Sequence, residues 1–386
     1  YILAFALKLK EFFINFNPDL VIGYNFGDIR HHLIEKICNK NKIPFFFSSD
    51  TKVQNINCFY YDINSSRSFF IDRVKKLNNN IINSKNYFNA EKYIRENNEK
   101  FKIAYHMKNM NLNKRWYNFN DFKKLLSSIR YHFKKIKINK KILSASDNTN
   151  LFYLIRDYVS ERKNIIETQN FKSYDNLNKV GKFIFFPLQH FPESQLGLLN
   201  PVHDHVLNTI KILARHLPSE LTLVVKDHPW SFGKRSKSFL SKIKNTINVK
   251  FLKPNTPNNL IYEKMDYLIS LGGTVIFEAA LYNKPAISIG NLEMMSELPN
   301  LFRIKNLEDI KDVLKEIDKN FKNINNSNEY NRKLNNYIAA ALDLGYRNDI
   351  YQSDLRLSKK NLEYIWNFYL KEINKIFRFK GKFLYN

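Results

Sequence analysis

Between residues 183 and 316 the chain alternates short apolar runs with helical stripes. FIFFP (183–187), LTLVVK (221–226), NVKFL (248–252), DYLIS (266–270) and PAISIG (285–290) read as buried strands. Between the first two lies VHDHVLNTIKILARHL (202–217). Val202, Val206, Ile210, Leu213 and Leu217 recur there at helical spacing. Residues 236–243, 258–264, 274–283 and 307–317 read as further helices. Five strands separated by helices predict right-handed βαβ units and a parallel sheet covered on both faces. The expected fold class is α/β, with a doubly wound, Rossmann-like domain here.

The amino-terminal pattern is a shorter version of the same alternation. Residues 4–16 and 29–39 read as helices, and DLVIG (19–23) and IPFFF (43–47) as strands. A complete lobe needs more strands, and the chain opens on Tyr1 rather than Met, so a preceding piece is expected. Residues 63–175 read as mostly helical and rich in Lys and Asn, with a loop over 139–150. The tail from 331 reads as helical. The expected organisation is a first Rossmann-like lobe with a helical insert over 1–175, a second Rossmann-like lobe over 176–330, and closing helices over 331–386 that pack back on the first lobe, or else lie on an anionic membrane through Trp366, Phe368, Tyr369, Phe377 and the neighbouring lysines.

Charge adds one question. Lys and Arg number 62 against 36 Asp and Glu, a net of +26. That excess suits a polyanion partner. Lys, Asn and Ile are abundant together, as an AT-rich genome produces, and no zinc spacing, RRM-like aromatic motif or basic-region heptad appears, so no specific nucleic-acid partner is expected. Two cysteines, Cys38 and Cys58, make no disulfide framework and suit a reducing compartment. No run of 18 apolar residues is present and the start lacks a secretory pattern, which points to the cytoplasm, with the inner face of the membrane as an option.

Open α/β sheets bind ligands beyond the carboxyl ends of their strands. In FPLQHFPESQLG (186–197), Gln189 and Glu193 offer hydrogen bonds, although two prolines also suit a stiff structural loop. In VKDHPWSFGKR (225–235), Lys226, His228 and Arg235 gather cations around one loop, and Pro229 fixes its backbone. That set suits a phosphate or a carboxylate. In SLGGTVIFEAAL (270–281) a strand, Gly272–Gly273 and a helix follow one another. The helix start carries partial positive charge, glycines admit an anion closely, and Ser270 and Thr274 add hydroxyls. Glu278, one turn on, suits a ribose, or is merely a surface carboxylate. Gly290 is expected to close the site.

These strings, PLQHFPES, VKDHPWSFGKRS and DYLISLGGTVIFEAALYNKPAISIG, resemble the capsular polysaccharide biosynthesis glycosyltransferases, relatives of the capsule and lipopolysaccharide Kdo transferases. The resemblance covers about residues 183–310. It implies a GT-B fold, two Rossmann-like lobes with a parallel sheet in each and a cleft between them. It implies metal-independent transfer of a sugar from a nucleotide donor, with CMP among the options, to a saccharide or lipid-linked acceptor, and no cofactor. By resemblance, His228–Pro229 and the 270–274 turn hold the donor phosphate, Lys226 and Arg235 flank it, and Glu278 is the helix acid. Gln189 and Glu193 belong to a Gln-rich loop in which Phe191 replaces a second Gln. Asp62 is the candidate catalytic base, with Asp50 second. A teichoic-acid-type glycerophosphotransferase or a non-catalytic homologue would share much of this pattern.

Overall fold

The computed structural model describes residues 2–23, 27–99, 119–138, 151–169, 171, 174–190, 205–290, 293–325, 328–348 and 358–378. Two sheets organise them. The second, larger sheet contains β4 (Phe183–Pro187), β5 (Thr222–Lys226), β6 (Val249–Leu252), β7 (Tyr267–Ser270), β8 (Ala286–Ser288) and β9 (Leu301–Arg303). All its pairings are parallel, in the order β6-β5-β4-β7-β8-β9. Chain order therefore runs outward from β4 to one edge, then returns to β7 and runs to the other. That reversal between β4 and β7 is the switch point at which doubly wound sheets open a crevice. The sixth strand, β9, was not among the five read from the sequence. It has three residues, none buried, and so lacks a buried apolar run.

The helices that cover this sheet are α7 (Val206–His216), α8 (Lys237–Lys244), α9 (Asn258–Lys264), α10 (Thr274–Leu281) and α11 (Ile310–Asn325). In α7, Val206, Ile210 and Leu213 are buried on one face, as their spacing requires.

The first sheet departs from the expected parallel arrangement. It contains β1 (Val21–Gly23), β2 (Phe45–Asp50), β3 (Ile56–Tyr60) and β10 (Tyr346–Arg347), in that spatial order. Only β1 and β2 are parallel; β2–β3 and β3–β10 are antiparallel. The cause is the link over 51–55, too short for a crossover helix and suited to a hairpin turn. Lys52 (φ 69°) and Asn55 (φ 61°) take the left-handed conformations that close it.

Around this sheet lie α1 (Ile2–Phe16), α2 (Ile29–Lys40), α3 (Phe69–Asn78) and α4 (Tyr87–Glu99). Then come α5 (Phe119–Ile138), α6 (Leu151–Gln169), and near the end α12 (Asn328–Leu344) and α13 (Lys359–Arg378). The loop expected over 139–150 lies outside the described residues.

One apolar core runs through both sheets and takes in Phe47, Tyr60, Phe185, Ile269, Phe277 and Tyr337. Helix α12 is its shaft. Tyr330 Oη donates to the Ala280 carbonyl at 2.8 Å, in the second lobe. Arg73 of α3 pairs with Asp343 at 2.7 Å, in the first. Tyr337 lies between Phe70 and Phe277, at ring distances of 5.1 and 6.0 Å. Its hydroxyl reaches the carbonyls of Thr51 (2.9 Å) and Met294 (3.2 Å), one in each lobe. Helix α13 covers the opposite face of the first sheet, where Ile365, Phe368, Tyr369 and Ile376 pack on Phe46 and Phe59. Trp366 and Phe377 of that helix stay exposed.

Candidate functional site

The carboxyl ends of β4, β5 and β7 converge at the switch point. Strand β4 runs out into Gln189 and His190. The Gln189 amide approaches the Gly272 carbonyl at 3.4 Å and Ser270 Oγ at 3.5 Å, beyond β7. The Gln189 carbonyl accepts from Arg235 Nη2 at 2.9 Å, in the loop beyond β5. The next ring, His190, meets His228 edge-on at 5.6 Å and Trp230 at 5.8 Å. One dipeptide thus ties the paired-glycine turn to the His-Pro loop on a single rim. Two strand spacings separate β5 from β7, roughly 10 Å, the scale of a nucleotide's ribose and phosphates.

The His-Pro loop is held rigidly. Asp227 is buried, pairs with Arg235 and accepts the His228 N–H at 2.8 Å. Burial pushes the Asp227 carboxyl up to about 6, against the pull of Arg235. Pro229 opens a one-turn helix over Pro229–Ser231, and His228 caps it: Nδ1 accepts the Trp230 N–H at 3.1 Å. A neutral imidazole whose Nδ1 accepts carries its proton on Nε2, so His228 presents a donor. Lys234 places its ammonium 3.1 Å from His190 Nε2.

At the β7 end, Ser270 Oγ donates to the Gly272 carbonyl (2.9 Å) and accepts its N–H (3.3 Å). Ser270 is fully buried, so its hydroxyl shapes the turn. Ser288, in register with Ser270 on β8, builds the same turn with Gly290 at 3.3 Å. Gly273 has φ 93°, and a Cβ there would meet nothing within 4 Å. It begins α10, whose amino end no side chain caps, and Thr274 beside it is exposed. The first amides of that helix therefore take no side-chain cap, the arrangement in which a helix start can accept an anion.

The other expected site residues turn inward. Lys226 is buried and donates to the Thr256 carbonyl at 2.9 Å and to the Asn258 side chain. It braces the loop before α9. Glu278 accepts from the Tyr262 hydroxyl and lies close enough to Lys226 to interact, and burial raises its carboxyl. Glu193 lies outside the described residues. Burial lowers the Lys226 ammonium to about 8 from 10.5. Because the folded value lies below the unfolded one, the native state binds fewer protons between about pH 8 and 10.5. The site's contribution to stability therefore rises with pH there, by at most about 1.4 kcal/mol per pH unit. Denaturant titrations should show wild type gaining on Lys226→Met as pH rises through that window.

The candidate base is occupied with its own loop. Asp62 is buried, and its carboxylate accepts from Ser66 N (2.8 Å), Ser66 Oγ (2.8 Å), Arg67 N (2.6 Å) and Arg67 Nε (3.3 Å). These bonds hold the 62–67 loop, which reaches the second lobe where Asn64 O accepts Glu293 N at 2.9 Å. Asp62→Ala should cost about 1–3 kcal/mol of unfolding free energy, because it removes the hydrogen bonds with which a buried carboxylate closes the 62–67 loop. Asp50 is exposed and pairs with Lys52 at 2.5 Å.

His190, Trp230, Lys234 and Asp227 were not among the residues singled out in the sequence. His190 stands inside the quoted PLQHFPES string, but only the packing shows that its ring touches both His228 and Trp230.

The profile of the family described as "Capsule polysaccharide biosynthesis protein" matches residues 74–292, more than half of the chain. No curated protein matches. Among solved structures, the Staphylococcus aureus MnaA–UDP co-structure is 12% identical, with a TM-score of 0.31, over 88% of this chain and 76% of that one. The Neisseria meningitidis UDP-GlcNAc 2-epimerase bound to UDP-GlcNAc is 13% identical, with a TM-score of 0.30, over 88% and 80%. The Methanocaldococcus jannaschii UDP-GlcNAc 2-epimerase in complex with UDP-GlcNAc and UDP is 14% identical, with a TM-score of 0.32, over 89% and 80%.

Proposed function

Because the chain belongs to the capsule polysaccharide biosynthesis protein family, we propose that it transfers a sugar from a nucleotide donor to a surface polysaccharide or glycolipid acceptor. The observation that supports this most is the Gln189–His190 bridge, which links His228 and the Gly272–Gly273 turn along one rim of the larger sheet. The acceptor hydroxyl attacks the anomeric carbon and releases its proton to solvent, the bond from that carbon to the donor phosphate breaks, and the nucleotide leaves with added negative charge. His228 Nε2–H, the Lys234 ammonium and the first amides of α10 meet that charge. In this reading those groups supply the positive charge at the leaving phosphate without a metal ion, and the donor is a substrate rather than a cofactor. Ser270, Arg235 and Asp227 position the two loops.

A second reading has a specific observation in its favour. Asp62 is saturated by its own loop and Asp50 is paired, so a chain that binds the donor without turning it over fits the first lobe. Incubation with a panel of UDP-, GDP-, CDP- and CMP-linked sugars and a capsule-type saccharide acceptor separates the two. Release of free nucleotide that depends on acceptor supports transfer. Tight nucleotide binding without release supports the second reading, and neither binding nor release defeats both.

A further inference from the structure

Helices α5 and α6 form an antiparallel pair: Asp121, near the start of one, pairs at 3.0 Å with Arg162, near the end of the other. Along α5, Phe119, Phe122 and Leu126 are 70%, 45% and 37% exposed. Along α6, Ile155, Val159 and Ile166 are 43%, 58% and 42% exposed. Each set recurs at helical spacing and forms a stripe. On α6 this stripe is separate from the face that the helix buries, which carries Asn164, Ile165 and Thr168. On α6 the stripe lies beside Arg162, whereas on α5 it lies about a third of a turn from Asp121; both offsets run in the same sense, which in an antiparallel pair turns the two stripes toward one side. Cations rim them: Lys123 and Arg130 on α5, Arg156 and Lys163 on α6 are all exposed. Helix α5 carries six Lys and Arg against one Asp.

We propose that this two-helix face is the surface by which the protein lies on an anionic lipid bilayer. Aromatic and aliphatic side chains rimmed by cations are what an interfacial helix presents to acidic headgroups. Among the described residues no helix is long and apolar enough to cross a membrane, so the attachment is to the surface. The face is also coupled to the crevice. Ile165 of α6 sits under Gly233, where an added Cβ would fall 2.5 Å from the Ile165 side chain. Gly233 belongs to the same loop as His228 and Lys234, so a docked α5–α6 pair fixes the His-Pro loop at a set height above the lipid. This surface is independent of the transfer reaction, and its test needs no turnover.

The test is flotation of the full chain with phosphatidylcholine vesicles, with and without phosphatidylglycerol. Binding should require phosphatidylglycerol and weaken as salt rises. Phe122→Ser combined with Val159→Ser should lower the partition coefficient at least ~10-fold, since both remove apolar side chains that the bilayer would cover. Its circular dichroism and melting midpoint should be unchanged, because both positions are exposed. Wild-type binding by the double variant, or no binding to either vesicle, overturns the proposal. So does loss of binding only on Trp366→Ser, which would move the contact to α13. Dissociation of a lipid-free oligomer by the double variant would assign the face to a second copy of the chain and overturn it equally.

Discussion

Substituting His228 with alanine is expected to weaken nucleotide binding about 10- to 100-fold, the loss of one hydrogen bond to a charged phosphate, about 1.5–3 kcal/mol. The fold should survive, since His228 caps only a three-residue turn. His228→Asn separates the two roles. Its side-chain oxygen can still accept the Trp230 N–H and keep the cap, but it offers no donor where Nε2 stands. Asn should therefore bind nucleotide as poorly as Ala while melting like wild type. Isothermal titration with UDP and CMP reads the difference. Wild-type affinity in His228→Asn would show that the imidazole only holds its turn.

Gly273→Val should act on both stability and binding. The residue sits at φ 93° and ψ −179°, a region that side chains with a Cβ rarely adopt. No atom lies near the added Cβ, so the penalty is backbone strain, about 1–3 kcal/mol, rather than collision. Relief of that strain would rotate the peptide that begins α10 and turn its amides away from the crevice. Nucleotide affinity should fall at least ~10-fold, since more than one amide is lost to the phosphate. Gly181 is the control: it has equal space and lacks the strained φ, so Gly181→Val should leave nucleotide affinity as it is. Equal nucleotide affinity in both variants would remove the helix end from the site.

The legible parts of the fold were those in which local pattern and burial coincide. Strands β4, β5, β7 and β8 are largely buried apolar runs, β6 is interrupted only by the exposed Lys250, and all five stand where the alternation predicts. Strand β3 was missed because INCFY follows a turn closed by Lys52 and Asn55, residues whose left-handed conformations leave no Gly or Pro signature. Strand β10 has two residues and exists only because Tyr346 and Arg347 meet β3 from almost 290 positions away.

The site divides in the same way. His228 and Gly272–Gly273 were legible because Pro229 and the paired glycines constrain the backbone visibly in the chain. The directions of Lys226, Arg235, Ser270 and Glu278 were not legible. A cation or hydroxyl at a strand end can face the ligand or brace the loop beneath it, and that choice depends on partners distant in sequence: Asn258 for Lys226, Asp227 for Arg235, Tyr262 for Glu278. His190 became visible only when its ring met His228 and Trp230.

A crystal structure of the chain with a bound nucleoside diphosphate bears most directly on the central claim. The account predicts phosphate oxygens within hydrogen-bonding distance of His228 Nε2 and of the amides that open α10, with Gln189 and His190 between them. Phosphates bound at any other end of the larger sheet, with His228 facing only its own loop, would contradict it.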